Sequence, residues 1–305
     1  MSAPHIVSIS FTQSGQTNRV QEAVLGPLLE SGLTVSQIPL AEQSPYPFPW
    51  PVLTLLNAIP ETILLQPAPN KPVAPPDAEA DIVLLFWQAW YLAPSCPVTA
   101  FLQSPQAKGI LDGKPVVSVV VCREMWYSAF ETLTGLVEAA GGRLVGHAAV
   151  TPTGHWTSML STPYWLVTGK KRMLPFIAPA GLTDDDITGC RRFGEAIRTA
   201  LADPARLLLG RLFEGLNPAP VNTILAPVER VTHRIMRLWA KPIIKLGSPK
   251  SRLRKVVLCG SFVFLYALII VLTPLVMAIN LVRSWLNPRY IAHLKERYTP
   301  GNINP

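Results

Sequence analysis

Short apolar runs, bounded by polar turns and separated by stretches of helical period, organise the first two-thirds of the chain. His5 to Ser10 reads as a strand, followed by the polar loop FTQSGQT (Phe11 to Thr17) and a helical pattern from Asn18 to Leu29 that ends near Gly32. Leu33 to Ile38, Asp81 to Trp87, Pro115 to Val121 and Arg143 to Val150 read as four further strands. Ser128 to Ala140 and Asp184 to Ala202 read as helices. DIVLLF and PVVSVVV are continuously apolar rather than alternating, as expected when helices cover both faces of a parallel sheet. The pattern therefore predicts a doubly wound α/β domain over residues 1–202, built on a five-stranded parallel sheet.

Two stretches interrupt or extend that pattern. A proline-rich insertion, Pro39 to Pro76, carries PYPFPWP (Pro45 to Pro51) and an apolar patch from Val52 to Leu65. It reads either as a rigid loop over a sheet edge or as a greasy wall beside a ligand site, since loops at strand ends build such sites in this architecture. A connector over residues 203–255 contains a basic amphipathic stretch, Val228 to Leu246, with Val228, Val231, Ile235, Leu238 and Trp239 on one face. Val256 to Val282 then runs 27 residues without a charge, about 40 Å as a helix, against a bilayer core of about 30 Å. This segment is expected to cross or embed in a membrane, with Pro274 as a point where it could turn shallow.

Charge sharpens the membrane reading. Residues 1–230 hold 15 Lys+Arg against 18 Asp+Glu, whereas residues 231–305 hold 12 against 1. The excess of positive charge belongs to the tail around the apolar run, which points to anionic lipid and away from nucleic acid. Lys250, Arg252, Arg254 and Lys255 precede the run and place the globular part in the cytoplasm, at the cytoplasmic membrane. The basic tail, 283–305, places Arg283, Arg289, Lys295 and Arg297 on the other flank and so weakens any choice of orientation. Cys96, Cys122, Cys190 and Cys259 have neither metal nor disulfide spacing, so no metal is expected.

The loop after the first strand carries the candidate chemistry. Thr12, Ser14 and Thr17 offer hydroxyls, Gln13 and Gln16 amides, and Gly15 a backbone free to turn closely around an anion at a helix N-terminus. No lysine is present, and the pattern is neither GxxxxGK[ST] nor GxGxxG. A hydroxyl-rich loop of this kind suits the monophosphate of FMN. The third and fourth strands end in FWQAWYLAPSCP (Phe86 to Pro97) and CREMW (Cys122 to Trp126). Trp90, Tyr91 and Trp126 could sandwich an isoalloxazine, and backbone N–H groups around Gln88, Ala89, Trp90, Tyr91 and Leu92, and around Cys122, Arg123, Glu124 and Met125, could bond its pyrimidine edge. Tyr91, His155 and Glu124 are the candidate proton-transfer groups, with no choice among them.

FTQSGQT resembles the flavodoxin phosphate loop, and the two segments after the third and fourth strands resemble the ring-contacting loops of flavodoxin-like oxidoreductases. More narrowly, PYPFPWP, WYLAPSCPVTAFLQSP, STPYWLVTGKKR, GCRRFGEAI and the apolar C-terminal segment resemble the dialkylresorcinol-condensing enzyme family. That resemblance implies an FMN oxidoreductase of dialkylresorcinol biosynthesis that aromatises an alkylated cyclohexanedione, beside a ketosynthase-type partner that joins the acyl units. A lipid-like dione or quinone is the implied substrate, membrane lipid a further partner, and a homodimer an open expectation. The family name speaks of condensation, but thiolase-type condensation needs an activated cysteine, and Cys122 has only His147 and His155 in neighbouring segments. An NAD(P)H-dependent quinone reductase and a non-catalytic flavodoxin-like membrane scaffold are the alternative readings.

Overall fold

The computed structural model describes residues 4–155, 157–203 and 212–298. Parts of the connector, 204–211, and of the basic tail, 299–305, lie outside the described residues. Five parallel strands, β1 (His5–Ser10), β2 (Thr34–Pro39), β3 (Ile82–Trp90), β5 (Pro115–Val121) and β6 (Arg143–Val150), form a sheet in the order β2-β1-β3-β5-β6. A two-residue strand, β4 (Ala93–Pro94), pairs antiparallel with the end of β3. Each of the five parallel strands coincides with a sequence expectation to within a few residues, whereas β4 was not expected.

The apolar runs are explained by burial on both sides. Successive side chains of a strand point to opposite faces. Val83, Leu85 and Trp87 of β3 enter one core, and Ile82, Leu84 and Phe86 enter the other. The first core is covered by α3 (Cys96–Leu102), α4 (Pro105–Leu111) and α5 (Tyr127–Ala139). The second is covered by α1 (Gln16–Glu30), α7 (Asp184–Thr188) and α8 (Arg191–Ala202). The single helix expected over Asp184 to Ala202 is thus two. Thr183 and Asp186 close a capping box on α7, and Gly189 and Cys190 separate it from α8.

The insertion folds into α2 (Val52–Ile63), and α6 (Ser158–Thr168) follows β6; neither helix was expected. The amphipathic stretch is α9 (Leu225–Lys245), which buries Val228, Met236, Ala240 and Ile243 and packs against α2, α5 and α10 (Arg252–Leu286). Leu238, expected on one face with Val228, is 67% exposed while Val228 is buried, because the face that meets the body is set by Val228, Met236, Ala240 and Ile243. Glu229 of α9 is fully buried, and its carboxylate accepts from the N–H groups of Tyr127 and Ser128, so it caps the open start of α5. Burial pushes its pKa up to about 7. A raised acid pKa means that the folded state holds a proton the unfolded chain releases, so this residue's contribution to stability falls as pH rises from about 4.5 to 7, by about 3 kcal/mol. Glu229→Gln keeps an acceptor and removes the charge. Urea unfolding at pH 5 and pH 7.5 should show the variant gaining on the parent at the higher pH.

The apolar segment lies within one 35-residue helix, α10, whose most apolar 18-residue window has a mean hydropathy of 2.7. Its surroundings differ from those of a free span. Arg254, Leu258, Leu265 and Asn280 are buried against the body, and α11 (Pro288–Tyr298) brings the chain back to α5. Tyr298 packs at 4.9 Å from the ring of Tyr127 and donates to Glu131, which also pairs with Arg297.

Candidate functional site

At the carboxyl ends of β1, β3 and β5 lies a cavity of about 280 Å³. Its polar groups are Gln13, Ser14, Gln16, Gln88, Arg123 and Thr162, and its apolar walls are led by Trp50, Leu55, Trp90, Tyr91, Trp165 and Leu166. The connections from β1 run to β2 on one side and through β3 to the other, so the loop after β1 sits where the strand order reverses. That order, and a ligand crevice at the β1/β3 switch point, define a flavodoxin-like sheet. The fold is flavodoxin-like.

No family model matches the chain, and no curated protein does. Among solved structures, a flavoprotein in complex with FMN from Lactobacillus acidophilus NCFM is similar at 13% identity, with a TM-score of 0.39 over 48% of this chain and 93% of that one. A flavodoxin from the domain Archaea has 14% identity and a TM-score of 0.36 over 65% and 99%, and oxidised flavodoxin 1 from Bacillus cereus 15% and 0.33 over 67% and 97%. These scores are low, and the fold assignment rests on the strand order.

The loop from Phe11 to Thr17 has the donor set of an anion site. Gly15, at φ +83°, caps α1 and supplies no side chain to occupy the helix N-terminus. Thr12 Oγ1 accepts from the Thr17 N–H, at 3.3 Å, while Ser14 borders the cavity. Thr17 Oγ1 is buried with no hydrogen-bond partner, an arrangement that normally costs free energy unless a ligand completes it. The two amides are spent differently from the sequence expectation. Gln13 donates to the carbonyls of Tyr46 and Pro47, stapling the insertion to the loop, and Gln16 donates to the carbonyl of Leu182. Gly181 makes the latter contact possible, because a Cβ there would lie 2.6 Å from Gln16 Oε1. The hydroxyls, the open helix end and the orphaned Thr17 oxygen together fit a phosphate.

The aromatic wall includes the expected Trp90 and Tyr91, but not Trp126. Trp90 lies 5.1 Å from Trp50 and 5.4 Å from Tyr46, and Tyr46 stacks on Trp50 at 5.0 Å. Trp126 does not line the cavity. Its ring is buried in the first core against Tyr127, Phe130, His147 and Tyr298, and the aromatic neighbours of Trp90 at the cavity, Trp50 and Tyr46, come from the insertion and meet it edge-on. Trp165 of α6 adds to the wall next to the insertion, packing at 5.6 Å on Phe48, while the carbonyl of its neighbour Leu166 accepts from the Trp50 N–H at 2.7 Å. Tyr46 and α6 escaped the sequence reading. Pro163 and Pro60 mask the helical period of α6 and α2, although Ser158, Thr162, Trp165 and Leu166 recur at the spacing of one helix face.

The proton-transfer candidates do not converge. Tyr91 lines the cavity, but its hydroxyl donates to the Leu55 carbonyl at 2.9 Å and burial raises its pKa, so it stays a neutral phenol. Glu124 and Met125 lie outside the cavity lining, with Glu124 exposed; His155 is exposed and bonded to Thr157. Leu92 turns into the α2–α9–α10 cluster, and Ala89 and Gln88 line the cavity, with Gln88 Oε1 accepting from the Gln13 N–H. Tyr91 and Leu92 form the two-residue turn between β3 and β4 with φ +49° and +67°, a conformation usually given to Asn or Gly. Two bulky residues held there are a strained pair beside the cavity, which Tyr91 lines, as expected where surrounding structure overrides local preference.

Cys122 and Arg123 line the cavity from the end of β5. Burial pushes the Cys122 thiol well above its ordinary value, which keeps it protonated and unsuited to nucleophilic attack. His147 is fully buried beside Ser118, 3.9 Å from Phe130, and burial holds its pKa at about 3. It serves the core. Arg123 is the distinctive group. Its guanidinium donates to Thr162 Oγ1 at 2.7 Å and to Ser158 Oγ at 2.9 Å, and to the Ser158 carbonyl. Those hydrogen-bond partners are neutral, so a half-buried guanidinium is held at the cavity wall, its pKa lowered by desolvation against the opposing pull of the Glu124 carboxylate.

Proposed function

We propose that the chain is a membrane-associated, FMN-dependent oxidoreductase that aromatises an alkylated cyclohexanedione to a resorcinol, on the cytoplasmic face of the cytoplasmic membrane and beside a ketosynthase-type partner. The observation that carries this reading is a phosphate-suited loop with an orphaned buried hydroxyl, joined to an aromatic cavity whose wall carries the Arg123 guanidinium. Thr12, Ser14, Gly15 and Thr17 would hold the phosphate, and Trp50 and Trp90, in edge-to-face contact with each other, would form one aromatic wall beside the ring system. FMN supplies a two-electron acceptor when bound.

Aromatisation removes two hydrogens from the dione ring, one as hydride and one as a proton. A 1,3-dione is itself a carbon acid, so the site needs a host for the enolate oxygen more than a strong base. Arg123 would meet that need: its charge is pre-placed at the wall of a largely apolar cavity, where an oriented cation stabilises developing negative charge. Thr162 and Ser158 fix its fork so that it need not reorganise. Leu55 of α2 and Leu166 of α6 line the cavity and would give the alkyl chains an apolar wall.

Purified from its membrane in mild detergent, the protein should carry one FMN, read from its visible absorption. A colourless protein that FMN does not restore would refute the reading and leave the scaffold. Arg123→Met should lower turnover of the dione by about 100-fold or more with flavin still bound, and Arg123→Lys should recover part of the loss. Equal turnover in the parent and Arg123→Met would remove Arg123 from the chemistry.

A further inference from the structure

α10 is long and apolar enough to cross a bilayer, but its contacts describe another geometry. The body holds it along one stripe. Near its start, Arg254 bonds Glu61 of α2 at 2.6 Å; one turn on, Leu258 is fully buried; Leu265 joins Ile59, Ile63, Met236 and Ala240 in a small core. Near its end, Asn280 donates to the carbonyl of Thr223 at 2.8 Å, and the neighbouring Asn222 N–H bonds the Tyr127 hydroxyl in the body. Between Arg254 and Asn280 a helix rises about 39 Å. Buried positions fall at 254, 258, 265 and 280, with partly buried Phe262 and Ile269 packed on the same cluster, so one stripe meets the body from Arg254 to Ile269 and meets it again at Asn280.

The remaining faces are bare and greasy. Val256, Val263, Phe264, Val271 and Trp285 are each about 70% exposed or more. Basic residues stand at both ends, with Lys250 and Arg252 before the helix and Arg283 and Arg289 after it, and α9 alongside exposes Arg234, Arg237 and Lys241. A spanning helix would be wrapped by lipid on every side, and its two ends would lie in opposite leaflets. Here both ends are bonded to the same soluble body, and both carry positive charge, which one headgroup plane satisfies at once.

We propose that α10 lies in the plane of an anionic bilayer, with its outer face sunk to the acyl boundary and its inner stripe fixed on the domain, so that the chain is monotopic and both flanks of the helix stay on one side. This rests on the membrane association proposed above and specifies its form. It also sets α2, whose Leu55 lines the cavity and whose Ile59 and Ile63 touch the α10 cluster, between the ligand site and the lipid.

The test uses the full chain with Cys122→Ser and Cys259→Ser as background, added to phosphatidylcholine vesicles containing phosphatidylglycerol. Single nitroxides go onto the exposed positions as Val256→Cys, Phe264→Cys, Val271→Cys and Trp285→Cys, and depth is read from the balance of oxygen and water-soluble nickel quenching. In-plane geometry predicts flotation with the vesicles and one shared shallow depth for all four. Flotation with Val271 and Phe264 near the bilayer centre and the two ends shallow would overturn the in-plane proposal and leave membrane association standing. Absence of flotation would overturn both.

Discussion

Replacing Thr12, Ser14 and Thr17 together by alanine is expected to weaken FMN binding by about 1000-fold or more while the domain stays folded. A charge-assisted hydrogen bond to a phosphate is worth about 1.5–3 kcal/mol, so even the low end of three such bonds exceeds 4 kcal/mol, about three decades in affinity. The cost to the fold is small for a specific reason. Thr17 Oγ1 has no partner to lose, and Thr12 Oγ1 loses only a long acceptance from the Thr17 N–H. Flavin fluorescence titration measures the affinity, and circular dichroism confirms the fold. Unchanged flavin retention in a folded triple variant would show that the loop does not hold the phosphate.

A comparably large loss, this time of stability, is expected from Arg254→Ala. The guanidinium is almost fully buried, reaches both oxygens of Glu61 at 2.6 and 2.8 Å, and also donates to the carbonyls of Gly247 and Asn57. Removing it leaves the largely buried Glu61 carboxylate unpaired, a change that costs about 3–5 kcal/mol, a large part of the roughly 5–15 kcal/mol that holds a domain folded. Thermal unfolding in detergent should show a midpoint lower by several degrees. The pair Arg254→Met with Glu61→Leu should recover most of it, since both charges are then gone. If Arg254→Ala unfolds at the parent's temperature, α10 is not locked to α2 as described. The same contact bears on truncation: a chain ending at Ser251 also loses Tyr298 from the stack over Trp126 and Tyr127.

The sheet was legible because its strands are buried on both faces, which leaves continuous apolar runs such as Ile82 to Trp87 with polar turns at each end. The phosphate loop was legible for the complementary reason that its residues are local: hydroxyls, glycine and the helix start all lie within Phe11 to Thr17. Long-range partners were not. Nothing near Trp126 announces that α11 returns to cover it, and nothing near Glu229 announces a helix start, at Tyr127, some hundred residues earlier. Gln13 and Gln16 were identified as polar groups of the loop, but their donors are claimed by Tyr46, Pro47 and Leu182, all distant in sequence. The apolar period of α10 likewise carried length and hydrophobicity but not direction. Direction came from Arg254 and Asn280, two polar residues bonded to the body at its opposite ends.

The central claim is that this cavity oxidises a cyclic dione with a bound flavin, and a single-turnover experiment tests it most directly. The purified holoprotein is mixed under anaerobic conditions, in anionic vesicles, with an alkylated cyclohexane-1,3-dione and no other reductant. The account predicts that the visible flavin absorption bleaches as the dione is consumed, with one resorcinol formed for each flavin reduced, and that Arg123→Met slows the bleaching without altering its extent. A flavin that stays oxidised, with resorcinol appearing only when acyl thioesters are supplied, would contradict the aromatising role and assign the chain to condensation.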